Sequence, residues 1–210
     1  MFVLENIKYK DILNIKNLTI PERKITCLIG ESGSGKTTLL KLLNKMISPT
    51  KGSIHFKNKA IKYIDSIKLR RNVVMLSQTP VIFRGTIKDN LLKGLNFSEK
   101  PIVNDNTLKE ILSKVHLDKS LDLNAKELSG GEKQRLALGR IMLMNADIYL
   151  LDEPSSSLDE NTEDIIINEF VKYIKTNNKT LVMVTHSKTI AKTYADNIIE
   201  INKGKVKGEI

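Results

Sequence analysis

Apolar and polar residues alternate through Phe2–Ile7 and again through Ile12–Ile20, the period of half-buried antiparallel strands. The texture then changes. Ile25–Ile29 is a short apolar run ending at Gly30, and Lys36 to Met46 carries apolar residues at helical spacing until Ser48-Pro49 stops it. Lys51-Gly52-Ser53 reads as a turn into a strand at Ile54–Phe56, and Val73–Leu76 as a buried strand ending just before Gln78. From Thr86 to Met144 the spacing is mainly helical, interrupted by a polar loop near Asn96–Asn106. Strand and helix patterns then alternate: Ile148–Leu151, Asn161–Ile174, Thr180–Val184, Lys188–Ala195 and Ile198–Ile201. Such alternation implies parallel strands joined by crossover helices, with a helical lobe inserted before them.

Composition narrows the class. A chain of 210 residues, 40% hydrophobic and 28% charged, has the balance of a soluble globular protein, and one domain is expected. No run reaches the roughly 18–20 apolar residues of a membrane helix. Met1-Phe2-Val3-Leu4-Glu5 lacks the basic and apolar regions of a secretory signal, so a cytoplasmic location is expected. Cys27, the single cysteine, has no intrachain disulfide partner. The net charge of +10 would suit nucleic acid or an anionic membrane if it were clustered. It is not clustered: lysines are scattered among acidic residues through an Asn- and Ile-rich sequence, which reads as a solvated surface.

Two motifs carry chemistry. Gly30-Glu31-Ser32-Gly33-Ser34-Gly35-Lys36-Thr37, with Thr38 behind it, lies between a strand and a helix and fits a phosphate-binding loop. Glycines let backbone N–H groups close around phosphate oxygens, and the helix start adds a favourable field. Lys36 is expected on the β- and γ-phosphates of ATP and Thr37 on Mg²⁺. Ile148-Tyr149-Leu150-Leu151-Asp152-Glu153 is an apolar strand ending in two carboxylates, suited to holding Mg²⁺ through Asp152 and polarising a water through Glu153. Without the loop, the second motif would read as a strand and an acidic turn.

Leu128-Ser129-Gly130-Gly131-Glu132-Lys133-Gln134-Arg135, opening a helix, resembles the signature sequence of ABC ATPases. Ser129 can cap that helix, and Gly130 and Gly131 offer a second anion site at its start. The resemblance runs through essentially the whole chain. It implies an α/β fold: a P-loop NTPase (RecA-like) core with an N-terminal antiparallel β subdomain, about 1–25 and 52–64, and an inserted helical subdomain, about 84–140. It further implies that Gln78 senses Mg²⁺ and water, that Ser155-Ser156-Ser157-Leu158-Asp159 is the D-loop crossing a dimer interface, and that His186 contacts the γ-phosphate. Tyr9 resembles the aromatic residue that stacks on adenine, although Pro21-Glu22-Arg23-Lys24 stands where the family usually has a glycine. His55 and His116 match no functional position.

The same resemblance implies a homodimer with ATP sandwiched between the phosphate loop of one subunit and the signature of the other. It also implies a separate transmembrane permease subunit that the dimer drives. The wording Gln78-Thr79-Pro80-Val81-Ile82-Phe83 and Thr86-Ile87-Lys88-Asp89-Asn90-Leu91 is similar to export-type members, among them FetA-like subunits of bacterial iron-efflux systems. The alternative is a soluble ABC ATPase acting on DNA or ribosomes. Against it stand the absence of sustained heptads between the two nucleotide motifs and the single occurrence of each motif.

Overall fold

The computed structural model of the chain describes residues 1–155 and 159–209. They divide into two compact units, the first formed by Met1–Met75, Asp147–Glu153 and the chain from Asn178 onward, the second by Leu76–Ala146 and Pro154–Asn177.

The first unit begins with β1 (Phe2–Tyr9) and β2 (Leu13–Ile20), paired antiparallel with Phe2 opposite Ile20 and Tyr9 opposite Leu13. After β3 (Ile25–Ile29) and α1 (Lys36–Leu43) come β4 (Lys51–Phe56) and β5 (Lys59–Ala60), giving an antiparallel sheet of order β2-β1-β4-β5. Alternation alone would put Asn6 on the buried face of β1. The register instead shifts between Glu5 and Lys8 opposite β4, and Asn6 adopts a φ of 52°. That bulge turns Ile7 inward, where it is 0% exposed. It also fixes Gly52, because a Cβ there would lie 2.4 Å from the Asn6 carbonyl oxygen.

A short helix α2 (Ser66–Asn72) leads to β6 (Val73–Leu76). Its start is capped by Asp65, whose carboxylate accepts from the Ile67 and Lys68 amides at 3.0 and 2.9 Å. The second sheet has the order β10-β9-β3-β8-β7-β6, where β7 is Ile148–Asp152, β8 is Thr180–Val184, β9 is Asn197–Asn202 and β10 is Lys205–Glu209. β3 pairs in parallel with β8 and β9, and β7 in parallel with β8. Every residue of β7 and β8 is buried, which explains why they read as unbroken apolar runs. Helix α7 (Lys188–Tyr194) connects β8 to β9.

One apolar cluster joins both sheets to α1: Phe2, Leu4 and Ile54 of the first sheet, Leu28, Leu150 and Val182 of the second, and Leu39, Leu40 and Leu43 of the helix. The helical spacing seen to Met46 overshoots α1. The helix stops at Leu43, and Lys45, at φ 56°, folds the chain so that the Met46 amide donates back to the Lys41 carbonyl at 2.9 Å.

In the second unit α3 (Ile87–Ser98), α4 (Asp105–Lys114), α5 (Gly130–Leu143) and α6 (Glu160–Thr176) are helical. Thr86–Asp89 and Ser129–Glu132 form reciprocal capping boxes at α3 and α5. The expected loop near 96–106 is shorter than its polarity suggests, since α3 runs on to Ser98, whose hydroxyl donates to the Gly94 carbonyl at 2.8 Å. A longer stretch without α-helix lies elsewhere, between α4 and α5, and holds one 3-10 turn at Ala125–Glu127. Its apolar residues mimic helical spacing, yet Leu121 and Leu123 present carbonyls to the Lys88 and Ile87 amides, each at 2.9 Å. Glycine sets the helix contacts: a Cβ on Gly94 would lie 2.8 Å from the Arg140 carbonyl oxygen, and one on Gly139 3.0 Å from Ile111.

Leu40→Ala is expected to destabilise the first unit by about 2–5 kcal/mol, since a fully buried side chain leaves a cavity. Urea denaturation followed by circular dichroism should show a lower midpoint at unchanged slope.

Candidate functional site

The loop between β3 and α1 is shaped by what cannot fit there. Gly30 has a φ of 142°, and a Cβ on it would meet the Ile201 carbonyl oxygen at 2.0 Å. Gly35, at φ 107°, ends the loop, and a Cβ there would sit 2.6 Å from Leu13. Gly35 is also the N-cap of α1 and supplies no side-chain acceptor. The first amides of that helix are therefore uncommitted by a cap, as an anion site requires. Ser32 and Gly33 are exposed at the loop's crest, Ser34 and Lys36 are buried, and Thr37 and Thr38 are half-buried. The Ser34 hydroxyl is enclosed without a protein partner.

Lys36 is 5% exposed, and its ammonium donates to the carbonyls of Gly30 and Glu31, both at 2.8 Å. Burial pulls its pKa below the usual lysine value, while the carboxylates of Glu153 and Asp152 act in the opposite sense. Thr37 Oγ1 donates to Asp152 Oδ1 at 2.9 Å. Asp152 is 4% exposed; burial raises its pKa, the Thr37 bond opposes that, and neighbouring Glu153 adds to it.

Glu153 turns sharply out of β7 with a φ of 48°, rare for a residue with a side chain, and its amide donates to the Val184 carbonyl at 3.1 Å. This sends its carboxylate away from that of Asp152 and toward His186, with Glu153 Oε1 and His186 Nε2 2.8 Å apart. The first unit thus gathers Lys36, Thr37, Asp152, Glu153 and His186 at the ends of β3, β7 and β8. A hydroxyl and a carboxylate side by side are an oxygen donor set suited to Mg²⁺, and the uncapped helix start with the enclosed Ser34 hydroxyl suits phosphate. Tyr9 ends β1, half-buried against the core, and its ladder partner Leu13 is the residue touching Gly35.

One supporting element escapes a motif search. The β9–β10 hairpin turns at Lys203 and Gly204, both at positive φ. The Gly204 amide donates to the Ser34 carbonyl at 3.0 Å, and its carbonyl accepts from Asn14 at 2.8 Å. A Cβ on Gly204 would lie 2.1 Å from the Ile12 carbonyl oxygen. The signal was present in Asn202-Lys203-Gly204, a two-residue hairpin turn between alternating segments.

The remaining site residues lie in the second unit. Gln78 is exposed just beyond β6, where Ser77 Oγ donates to the Thr79 carbonyl at 2.9 Å. Ser129 caps α5, accepting from the Glu132 amide at 3.3 Å while its own amide donates to Glu132 Oε2 at 2.8 Å. Gly130 is exposed with open space where a Cβ would be. Asp159 is exposed and caps α6, accepting from the Thr162 amide at 3.0 Å. Ser155 donates to the Glu163 carboxylate, and the rest of the expected D-loop, Ser156, Ser157 and Leu158, lies outside the described residues.

Residues 13–156 match the protein family described as ABC transporter. The chain is 37% identical over 198 residues to protein STAR1 of Oryza sativa, covering 94% of this chain and 57% of that protein. It is 34% identical over 204 residues to the transport/processing ATP-binding protein ComA of Streptococcus pneumoniae, covering 94% of this chain and 28% of that one. The chain therefore spans little more than half, or less, of the length of these curated relatives. Among solved structures, the dimeric post-hydrolysis state of the ATP-binding cassette MJ0796 bound to ADP and Pi matches with a TM-score of 0.88 at 27% identity, covering 100% of this chain and 98% of that one.

The Glu132 carboxyl, bonded to the Ser129 amide and hydroxyl and facing Lys119 at 3.2 Å, is held down at about 2 from an ordinary 4.5. A depressed carboxylate contributes stability that is complete above 4.5 and is lost as pH falls toward 2. Glu132→Gln is expected to cost about 0.5–1 kcal/mol at neutral pH. The gap in melting temperature from the wild type should narrow steadily as pH is lowered through 4.

Proposed function

This chain belongs to the ABC transporter family, and we propose that it is the ATP-hydrolysing subunit of a transporter, closing as a homodimer around ATP to drive a separate membrane permease. The observation that carries the reading is the cluster at the ends of β3, β7 and β8. There, Thr37–Asp152 at 2.9 Å and Glu153–His186 at 2.8 Å stand beside the buried ammonium of Lys36.

In this reading the amides of the loop and of α1 bind the β-phosphate, and the Lys36 ammonium leaves the Gly30 and Glu31 carbonyls to reach the β- and γ-oxygens. Mg²⁺, when bound, would neutralise phosphate charge, and Thr37 and Asp152 would hold it. Glu153 accepts a proton from the attacking water, and His186 holds the Glu153 carboxylate in position and faces the γ-phosphate. Tyr9 packs on adenine. Ser129, Gly130 and Gly131, at the exposed start of α5, with Asp159, complete the nucleotide site of the second copy, so that ATP links the two. Loss of the γ-phosphate removes that link and reopens the dimer.

Among the described residues no helix is long and apolar enough to cross a membrane. In this reading the bilayer is spanned by the permease partner, with this chain on its cytoplasmic face. The export-like wording around Gln78 and Thr86 supports efflux. A metal cargo such as iron, implied by the FetA-like wording, would be selected by the permease. No group of three or more His, Cys, Asp or Glu that could hold a metal ion occurs among the described residues.

Glu153→Gln is expected to keep ATP affinity while hydrolysis slows by about 10²–10⁴-fold, trapping an ATP-bound dimer visible by size-exclusion chromatography; normal turnover would remove Glu153 from the role of base. Lys36→Ala should weaken nucleotide binding by about 10–100-fold, the loss of charge-assisted hydrogen bonds, measured by titration calorimetry. Tagged Glu153→Gln chain drawn from its native membranes with Mg-ATP should carry a multi-span protein identifiable by mass spectrometry. Recovery of DNA or ribosomes instead would move the function to the soluble branch of the family.

A further inference from the structure

The start of α5 holds a negative charge where the proposed function needs an anion to bind. Glu132, the third residue of that helix, keeps Oε2 on the Ser129 amide at 2.8 Å, while its own amide donates to the Ser129 hydroxyl at 3.3 Å. Those bonds to Ser129 keep the carboxyl ionised well below neutral pH. A carboxylate this close to Ser129, Gly130 and Gly131 repels a phosphate arriving there, since like charges a few ångströms apart interact appreciably even near a wet surface. The helix field favours both anions and offsets only part of that repulsion.

The other carboxylate oxygen, Oε1, faces Lys119. The Lys119 ammonium lies 3.2 Å from it, with the two side chains 42% and 19% exposed, so solvent screens the pair only in part. Lys119 belongs to the chain between α4 and α5, and its backbone is anchored on both sides. Leu117 and Leu121 are buried. His116 turns the chain at the end of α4 with a φ of 51°, and the Lys119 amide donates to the Leu117 carbonyl at 3.0 Å. The ammonium is therefore carried to Glu132 by fixed backbone and not by a free loop. The lysine lies outside the signature sequence, and the ATPase chemistry described above makes no use of it.

We infer that Lys119 is a positioning residue for the nucleotide site of the second copy: it holds the Glu132 carboxylate on the helix cap and compensates its charge, so that the start of α5 accepts the γ-phosphate. This rests on the proposed ATP-closed dimer. The two carboxylate oxygens divide the work. Oε2 stays on the Ser129 amide when the Ser129 hydroxyl turns to phosphate, and Oε1 stays on the lysine. Without Lys119, Oε1 faces the arriving phosphate with its charge uncompensated, and closure works against that repulsion. The loss falls on dimer closure alone, because the loop that binds ATP in a single chain belongs to the other unit.

The test is the Mg-ATP concentration at which half of the chain is dimeric, read by light scattering in the Glu153→Gln background. Lys119→Ala is expected to raise that midpoint by about two- to fivefold, the range of a partly exposed charge pair, with the ATP affinity of the monomer unchanged by calorimetry. Lys119→Arg, which keeps the charge, should restore the midpoint. The defect of Lys119→Ala should shrink as KCl is raised from about 0.1 M to about 1 M, where salt screens the repulsion. Glu132→Gln keeps a capping side chain without the charge, so adding Lys119→Ala to it should produce no further shift. A lysine that merely steadies its loop would give the same shift with Glu132 or Gln at that position, which overturns the inference. An unmoved midpoint in Lys119→Ala, or a shift that Lys119→Arg fails to restore, overturns it too. Failure of the Glu153→Gln parent to dimerise with ATP overturns the proposed function itself, and the role of Lys119 with it.

Discussion

The structure at the nucleotide end depends on keeping one ammonium charged while almost wholly out of water. Burying an unpaired lysine shifts its equilibrium toward the neutral form, yet Lys36 must remain a cation to meet phosphate. Two carbonyls of its own loop solve this, and they can do so only because the loop bends back over the side chain between Gly30 and Gly35. That bend in turn requires a backbone at Gly30 that no other residue could supply, pressed against the Ile201 carbonyl of β9. Strand order, glycine placement and the charge state of Lys36 are one constraint seen at three scales. Because the carbonyls are weak, neutral partners, the ammonium can leave them for an anion at little cost, whereas a carboxylate partner would compete with phosphate.

A second tension lies at Asp152 and Glu153. Two adjacent carboxylates at the end of a buried strand repel each other, and burial penalises the charge on Asp152. The left-handed turn at Glu153 separates them by sending successive side chains to different surroundings. Such a conformation costs of order 1–3 kcal/mol and persists only where neighbours over-determine it. Here the bond from the Glu153 amide to the Val184 carbonyl and the contact with His186 do so. The local strain is what places one carboxylate against Thr37 and the other against His186.

Much of this was legible in the sequence because burial on both faces leaves an unmistakable mark. β3, β7 and β8 stand out as apolar runs that end where chemistry begins, and the loop and acid pair could be read from their spacing. The elements that were not legible are those in which local pattern and tertiary packing disagree. Helix α2 has seven residues and one buried side chain, Leu69, so periodicity is too weak to announce it. The chain between α4 and α5 has apolar spacing that resembles a helix, but its Leu121 and Leu123 carbonyls accept from amides at the start of α3. Met46 extends the pattern of α1 although Lys45 has already turned the chain. Lys119 was invisible for another reason: a lysine among polar residues shows no partner until the helix start it meets has been folded against it.

The two helix starts proposed to bind phosphate are prepared differently, and the difference has a physical meaning. At α1, Gly35 offers no side-chain cap, so the amides stand ready for an anion. At α5, Ser129 spends its hydroxyl on the Glu132 amide, and Glu132 returns the bond while its negative charge satisfies the helix field. An anion arriving at Ser129 must compete with that arrangement. The Ser129–Glu132 bond of 3.3 Å is long for a hydrogen bond, while the reciprocal bond at 2.8 Å is short and charge-assisted. The hydroxyl is therefore the partner that can leave, with Glu132 keeping the helix capped. In the proposed dimer an anion displaces that hydroxyl bond at α5 but meets open amides at α1, so the start of α5 is the weaker of the two anion sites until the second copy closes on it. That is the behaviour a switch between open and ATP-closed dimer requires, since a signature that held ATP tightly by itself would gain nothing from closure.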